Sequence, residues 1–249
     1  MEVKNIAILG DSWAWGEWSF VGETNMNTHN GTYYYLQQEY PKANIINFAK
    51  AGGSNLYQLD YIASNVGMYN FKKDFDVIIC FWTDPGRDIL DKIQEEEVVQ
   101  LSHFSKVYYE DRCKKTSDIF LKQLNSIGIP VILVGGQVSL PTHIDRSEYS
   151  NLYFLIDRIT NLIDNPFWDS DKMCPIKGTI DNTIDWMATE RIEHLNLTEE
   201  FKAELVELRK TCDKYFNFEF FPDLGHGGRA LHRLASIKII DEIGKLNAS

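Results

Sequence analysis

The sequence is poor in the residues that build cross-linked or metal-dependent proteins. Its four cysteines, Cys80, Cys113, Cys174 and Cys212, are widely spaced, and none of them forms a C-x-x-C pair. This spacing excludes a typical zinc site and a small disulfide scaffold. The histidines likewise show no metal-ligand spacing. We therefore expect free thiols, no bound metal and no cofactor.

Positive charge and long apolar runs are also scarce. Lys and Arg number 25 against 36 Asp and Glu, which gives a formal net charge of −11. Nucleic acid and anionic membranes both bind basic surfaces, so neither is expected as a partner. No apolar run has the length needed to span a bilayer, and residues 1–9 lack the pattern of a signal peptide. These features predict a cytoplasmic protein.

Short apolar runs alternate regularly with longer helical stretches. The predicted strands are residues 3–9, 44–48, 76–81, 130–134 and 217–221, and the predicted helices are residues 32–40, 56–69, 96–125, 198–215 and 228–246. This alternation is typical of an α/β fold, with a parallel sheet covered by helices. The apolar face predicted for the last helix consists of Leu231, Leu234, Ile237, Ile240 and Ile243.

The length of 249 residues suits one domain, residues 1–249. Within it, residues 137–216 form a long connection of irregular and partly helical pattern. A connection of this length is unusual between two strands, and we expect part of it to cover a site.

Polar residues follow several of the predicted strands. Gly10, Asp11 and Ser12 follow the first strand, a glycine turn containing Gly52 follows the second, and residues 223–226 follow the last. In an open parallel sheet, ligands bind beyond the carboxyl ends of the strands. These residues are therefore expected to converge on one edge of the sheet.

The converging residues include the groups that acyl transfer requires. Ser12 can attack an ester carbonyl once a base removes its proton, and His226 is the candidate base because its ordinary pKa lies near neutrality. Asp223 can orient the imidazole and stabilise its protonated form. The negative charge of the tetrahedral intermediate needs preorganised donors, which the backbone N–H groups of Ser12 and Gly52 can supply.

These motifs resemble those of the SGNH (GDSL-like) hydrolases. Ile8-Leu-Gly-Asp-Ser12 is similar to the first family block, Asn47-Phe-Ala-Lys-Ala-Gly-Gly-Ser54 to the second and Asp223-Leu-Gly-His226 to the fifth. The resemblance implies a three-layer α/β/α sandwich with a flavodoxin-like parallel sheet. It also implies hydrolysis of acyl esters, often of acetyl groups on carbohydrates, so the expected partner is a small-molecule or glycan ester.

The third family block departs from the pattern. Family members have Gly-x-Asn-Asp there, and the asparagine side chain donates to the oxyanion; this chain has Phe81-Trp82-Thr83-Asp84. The hydroxyl of Thr83 can replace that donor, although its reach is shorter. A missing oxyanion donor costs roughly 3 kcal/mol of transition-state stabilisation. The alternative is that Thr83 only organises the turn, with its hydroxyl bonded to nearby backbone.

Several residues near the motifs are candidate substrate contacts. Indole rings can stack on sugars or acyl groups, and they can equally belong to the core. The predicted substrate-binding residues are Asp11, Trp13, Trp15, Gly53, Trp82 and Asp84.

The motifs leave three functions open. The first is an O-acyl hydrolase that acts on a carbohydrate or a small ester, and the second is a lipase or thioesterase of the same fold. The third is an SGNH domain with impaired catalysis that binds a glycan or a partner, which the altered third block favours. The segment Trp82-Thr-Asp-Pro85 also loosely resembles SGNH-like proteins of bacteriophages. That resemblance leaves open a role in a virion or in modifying a host cell.

Overall fold

A computed structural model describes residues 3–21, 24–63, 69–90, 106–162, 168–169, 174–175 and 228–248. The strands are β1 (Asn5–Leu9), β2 (Glu17–Val21), β3 (Thr24–His29), β4 (Asn44–Asn47), β5 (Val77–Trp82), β6 (Val131–Gly135), β7 (Leu152–Ile156), β8 (Trp168–Asp169) and β9 (Cys174–Pro175). The helices are α1 (Ser12–Trp15), α2 (Gly31–Glu39), α3 (Asn55–Ala63), α4 (Phe71–Asp74), α5 (Pro85–Leu90), α6 (Lys106–Ser126) and α7 (Arg229–Ala248). Two short 3₁₀ helices span Arg146–Glu148 and Ile159–Leu162.

Five of the described strands form one parallel sheet in the order β4-β1-β5-β6-β7. This is the flavodoxin-like order, in which the chain first adds a strand on one side of β1 and then continues on the other side. The order reverses between β1 and β5, and ligands bind at such a point in open α/β sheets. The predicted α/β fold class is therefore confirmed.

Alternating side chains of the central strands enter two separate cores. Ile6 and Ile8 of β1 belong to one core, whereas Ala7 and Leu9 belong to the other. The first core is closed by α1, α2 and α7, and the second by α4 and α6. Every residue of β5 is buried, because this strand has helices on both of its faces. The result is the three-layer sandwich that the resemblance implies.

Two regions differ from the sequence prediction. An antiparallel hairpin of β2 and β3 directly follows α1, where no strands were expected. Strand β7 lies within the segment predicted to be irregular, yet it pairs with β6 and extends the main sheet. The predicted strand at residues 217–221 and the predicted helix at residues 198–215 lie outside the described residues.

The last helix is confirmed, and its predicted apolar face is confirmed at every position except Ile237. Leu231 and Ile243 are buried in the first core, and Leu234 and Ile240 pack against it. Ala235 and Ile239 complete the buried face. Ile237 lies on the outer side of the helix and is 46% exposed.

Candidate active site

A tight turn after β1 carries Ser12. Gly10 has a φ of +147°, which side chains rarely allow. A Cβ on Gly10 would lie 2.5 Å from the Cβ of Ala14 and 2.8 Å from the Cβ of Phe81. Helix α1 can therefore fold back against β5 only because no side chain intervenes. Ser12 begins α1 at the carboxyl edge of the sheet and is 6% exposed.

Asp11 caps the helix that Ser12 begins. Its Oδ1 accepts a hydrogen bond from Trp13 N at 2.9 Å, a type of cap worth about 1 kcal/mol. Its Oδ2 accepts from Nη1 of Arg87 at 2.6 Å. From the other side, Nε1 of Trp18 donates to the carbonyl oxygen of Ser12 at 2.9 Å. Both carboxylate oxygens of Asp11 are thus engaged inside the protein, and the predicted contact of Asp11 with substrate stays a prediction.

The loop after β4 lies against the nucleophile turn. Lys50 N donates to the carbonyl oxygen of Gly10 at 3.1 Å. The side chain of Asn47 donates from Nδ2 to the carbonyl oxygen of Ala14 at 3.2 Å. The first and second motifs are therefore joined by hydrogen bonds at both ends of α1.

The two glycines of this loop are required for different reasons. Gly52 has a φ of +71°, and a Cβ there would meet no atom within 4 Å, so backbone conformation alone favours glycine. A Cβ on Gly53 would lie 2.9 Å from the carbonyl oxygen of Lys50, to which Gly53 N donates at 2.8 Å. The N–H of Gly52 makes no hydrogen bond with the described residues. Gly52 can therefore offer its N–H to a bound oxygen, whereas the N–H of Gly53 serves the turn.

Thr83 is held by its backbone rather than by its hydroxyl. The side-chain amide of Asn55 donates to the carbonyl oxygen of Thr83 at 2.9 Å and accepts from its N–H at 3.0 Å. Thr83 is fully buried, and its hydroxyl finds no hydrogen-bond partner in the described part of the chain. An unpartnered buried hydroxyl costs about 1–3 kcal/mol. The expected alternative, in which this hydroxyl bonds to nearby backbone, is therefore wrong.

Burial also limits what the Thr83 hydroxyl can reach. The oxygen has essentially no contact with solvent, so a substrate oxygen meets it only after the covering atoms move. The role of Thr83 as an oxyanion donor stays a prediction. The other predicted donors are the N–H groups of Ser12 and Gly52.

Two polar residues of the site were missed from the sequence. Asn55 holds Thr83, and Arg87 pairs with Asp11. Asn55 directly follows the second motif, and Arg87 lies shortly after β5. Polar residues at the carboxyl ends of the strands of an α/β sheet often belong to a ligand site, so the position of both residues could have revealed them. Between them, Oδ1 of Asp84 accepts from Gly86 N at 2.8 Å and stabilises the turn that begins α5.

The four tryptophans near the site differ in burial: Trp13 and Trp82 are buried, Trp18 is half-buried and Trp15 is exposed. Trp13 and Trp82 are each 1% exposed and belong to opposite cores. Their contact with substrate stays a prediction. Trp15 is 40% exposed and packs edge-to-face on Trp18, with ring centroids 5.7 Å apart. Because Ser12 and Trp15 are three residues apart on α1, they lie on the same side of it.

A groove of about 380 Å³ opens beside the turn after β5. Trp82 and Asp84, which flank Thr83, both line it. One wall is a face of helix α6, whose lining residues are three or four positions apart: Glu110, Cys113, Lys114 and Ser117. The other walls consist of Pro85 and residues 138–143. Its volume is within the range that small-molecule sites occupy.

Cys80 lies in the core close to the nucleophile turn. Its thiol donates to Oε1 of Gln58 at 3.3 Å. Burial raises the pKa of the Cys80 thiol, and the negative charge of Asp11 raises it further. The thiol therefore stays protonated and unreactive, as expected of a core residue. Cys80 and Cys113 are both free thiols.

The predicted base His226 and its partner Asp223 lie outside the described residues. His232, on α7, is fully buried, and its Nδ1 lies 3.2 Å from Oγ1 of Thr32. It packs within the fold. His143 pairs with Asp118 on the surface, with Nε2 and Oδ1 3.1 Å apart.

The described residues contain no group of three or more His, Cys, Asp or Glu side chains arranged to hold a metal ion. None of the described helices is long and apolar enough to cross a membrane.

The chain is similar in structure to several enzymes. A lipase/acylhydrolase from Enterococcus faecalis is 16% identical, with a TM-score of 0.44 over 96% of this chain and 95% of that one. A lipase from a goat rumen metagenome is 18% identical, with a TM-score of 0.44 over 96% of each chain. An acetylxylan esterase from Geobacillus stearothermophilus is 15% identical, with a TM-score of 0.41 over 97% of this chain and 94% of that one. No protein-family model and no curated protein matches the sequence.

Proposed function

We propose that the chain is a serine hydrolase of carboxylic esters. Ser12 attacks the ester carbonyl, His226 takes the serine proton and later returns it to the leaving alcohol, and Asp223 orients the histidine. The N–H groups of Ser12 and Gly52 stabilise the tetrahedral intermediate.

The arrangement of the nucleophile turn carries the proposal. Gly10 and Asp11 hold Ser12 at the start of α1, at the point where the strand order reverses. The loop that contains Gly52 is hydrogen-bonded to the same turn. A serine and an unused backbone N–H on adjoining loops are what acyl transfer needs in a nucleophile and an oxyanion donor.

The first turn of α7 packs near the end of α1. A Cβ on Gly31 would lie 2.8 Å both from the Cα of Gly16, which ends α1, and from the ring of His232. His226 itself lies outside the described residues, and its place in the sequence shortly before α7 is what supports it as the base.

An O-acetylated carbohydrate is the substrate that the exposed surface favours. Trp15 offers an indole ring on the same side of α1 as Ser12, and aromatic rings bind the apolar faces of sugars. Trp15 packs edge-to-face with Trp18, and Nε1 of Trp18 donates a hydrogen bond to the carbonyl oxygen of Ser12. The sugar of an ester held at Ser12 can therefore stack on Trp15.

The groove beside Asp84 favours a second candidate, a hydrolase of longer acyl chains. Its walls include the apolar residues Trp82, Val138, Leu140 and Pro141, and its volume of about 380 Å³ can hold more than an acetyl group. A lipase or thioesterase needs such a groove next to the oxyanion position.

The buried hydroxyl of Thr83 favours the third candidate, a domain that binds esters but hydrolyses them poorly. If only backbone N–H groups stabilise the oxyanion, one donor is missing, and kcat is lower by roughly 10²–10³-fold.

A fluorophosphonate probe and a series of p-nitrophenyl esters separate the three candidates. We expect the probe to label the wild-type protein at Ser12 and to leave Ser12→Ala unlabelled. A serine esterase of acetyl groups hydrolyses p-nitrophenyl acetate faster than the octanoate or palmitate ester, whereas a lipase has the opposite preference. A protein that is neither labelled nor active on any ester is a binding module, and the proposed hydrolysis is then wrong.

A further inference from the structure

Arg87 reaches from α5 across the edge of the sheet to the nucleophile turn. Its Nη1 donates to Oδ2 of Asp11 at 2.6 Å and to the carbonyl oxygen of Gly53 at 3.4 Å. Its Nη2 donates to Oε1 of Gln137 at 3.4 Å. One guanidinium therefore contacts the loops that follow β1, β4 and β6, while its own backbone follows β5.

The partner of Arg87 is a buried carboxylate next to the nucleophile. The side chain of Asp11 is 2% exposed, so water screens its negative charge poorly. Its Oδ1 caps the N–H of Trp13, so the position of this carboxylate fixes the direction of the Ser12 turn. Without an opposite charge, Asp11 would repel the negative charge that forms on a substrate oxygen near Ser12.

We propose that Arg87 is a positioning residue for ester hydrolysis, an inference that rests on the function proposed above. It holds Asp11 in its capping position and cancels the charge of Asp11 beside the developing oxyanion. Its hydrogen bond to the carbonyl oxygen of Gly53 also holds the loop that carries Gly52 next to the nucleophile turn. Arg87 acts through Asp11 and Gly53 and does not touch the reacting atoms.

A positioning role differs measurably from that of a simple ion pair. An ion pair that only stabilises the fold affects the melting temperature and leaves kcat per folded molecule unchanged. A residue that orients the nucleophile turn and compensates its charge affects kcat, while KM changes little, because the interaction matters once the oxyanion forms.

Four variants test the proposal with p-nitrophenyl acetate: Arg87→Gln, Arg87→Lys, Asp11→Asn and the double variant Asp11→Asn/Arg87→Gln. We expect Arg87→Gln to lower kcat by roughly ten- to a hundredfold, with KM within about twofold of wild type. The double variant regains about tenfold in kcat over Arg87→Gln, because asparagine caps a helix as well as aspartate and leaves no uncompensated charge. Arg87→Lys retains the charge and keeps an intermediate kcat.

The matched control is Arg146→Gln. Arg146 makes an equally short ion pair with Asp157, at 2.6 Å, on the β7 side of the sheet. Its loss leaves kcat unchanged. The proposal is overturned if kcat per folded molecule is unchanged in Arg87→Gln, or if the double variant is no more active than Arg87→Gln. If Arg87→Gln does not fold, Arg87→Lys and the double variant are compared with Asp11→Asn in the same way.

Amide hydrogen exchange separates this proposal from the proposed function. The Trp13 amide donates to Asp11, so we expect it to exchange at least about tenfold faster in Arg87→Gln than in wild type, while amides of β5 are unchanged. Unchanged exchange at Trp13 would overturn the positioning role even in an active enzyme. The wild type can also prove inactive on every ester while the Trp13 amide exchanges faster in Arg87→Gln. That result supports positioning of the turn by Arg87 and overturns the proposed hydrolysis instead.

Discussion

Two turns at the carboxyl edge of the sheet differ in how completely they use their polar groups. In the turn after β1, both carboxylate oxygens of Asp11 accept hydrogen bonds, and the Ser12 carbonyl accepts one from Trp18. In the turn after β5, Asn55 satisfies both backbone groups of Thr83, yet the threonine hydroxyl is buried without a partner among the described residues. The sequence of the first turn resembles the SGNH motif, and the sequence of the second departs from it.

The difference shows that the contacts that hold the backbone of a turn are separate from the side-chain group that the turn presents. A nucleophile must be held to within a fraction of an ångström, so it is reasonable that several contacts fix the first turn. In the second turn, Asn55 fixes the backbone although the asparagine of the family motif is missing. The backbone of this turn is therefore held without the asparagine of the motif.

The largest effect is expected in the first turn, from Ser12→Ala. Removal of the nucleophile lowers ester turnover by roughly 10³-fold or more, and the fold is retained because the caps of α1 come from Asp11 and Trp18. Activity and thermal melts are measured together. The control is Ser126→Ala, at the end of α6, which keeps full activity. Turnover near the wild-type level in Ser12→Ala would contradict the assignment of the nucleophile.

An effect of similar size is expected from His226→Ala, because the nucleophile turn works only with a base. The double variant with Ser12→Ala is little worse than either single variant, since the two residues act as one unit. His232→Ala is the matched control: it removes a fully buried ring that contacts Thr32, so it lowers the melting temperature and leaves kcat per folded molecule unchanged. A larger loss of kcat in His232→Ala would show that the base is misplaced.

The pH profile provides a second measurement of the same prediction. The base must be neutral to accept the serine proton, so activity is low at acidic pH and rises through one ionisation near the ordinary histidine value of about 6.5. A flat profile between about pH 5 and 9 would count against a histidine base.

A smaller effect is expected in the second turn, from Thr83→Val. If the hydroxyl donates to the oxyanion, kcat falls by about ten- to a hundredfold while KM changes little. Stability moves the other way: valine removes an unpartnered buried hydroxyl, so the protein becomes more stable by about 1 kcal/mol. The kinetics and the melting temperature of one variant therefore report on both roles.

Two outcomes would alter the interpretation of Thr83. An unchanged kcat would leave only backbone donors in the oxyanion hole and would favour the binding-module alternative. A less stable Thr83→Val would mean that the hydroxyl has a partner after all. Thr83→Asn restores the family residue and is expected to keep or raise kcat if the longer side chain fits below Trp82.

The central sheet was predictable because its strands carry strong local signals. The apolar run of β5 is buried throughout, and the alternation of β1 between two cores follows from the period of a strand. Strand β7 was missed although Leu152–Ile156 is apolar throughout, because it lies among the turn residues of a long connection, and its pairing with β6 defines it as a strand of the main sheet. The polar sequence of β3 gives no strand signal, and only its pairing with β2 defines it.

The site was predictable only in part, because local motifs do not reveal long-range partners. Gly10, Asp11 and Ser12 form a recognisable motif after a strand. The pairing of Asp11 with Arg87 joins residues 76 positions apart, and that of Asn55 with Thr83 joins residues 28 apart. Such contacts follow from the strand order, which a single sequence does not specify.

The smallest effect on catalysis is expected from replacing a tryptophan beside each turn. Trp15 follows the first turn and Trp82 precedes Thr83 in the second, and the comparison tests whether the exposed tryptophan binds substrate while the buried one only stabilises the fold. Trp15 is 40% exposed, so Trp15→Ala leaves the melting temperature nearly unchanged and raises KM for an acetylated oligosaccharide by up to about tenfold, the value of one stacking contact. KM for p-nitrophenyl acetate, which has no sugar to stack, stays within about twofold.

Trp82 is buried against Phe120, so Trp82→Ala costs about 3–5 kcal/mol of stability and affects both substrates alike through loss of folded protein. Trp15→Phe keeps an aromatic face and most of the oligosaccharide affinity. Equal changes in KM for the two substrates in Trp15→Ala would exclude a sugar-stacking role, and the substrate would then be sought in the groove beside Asp84.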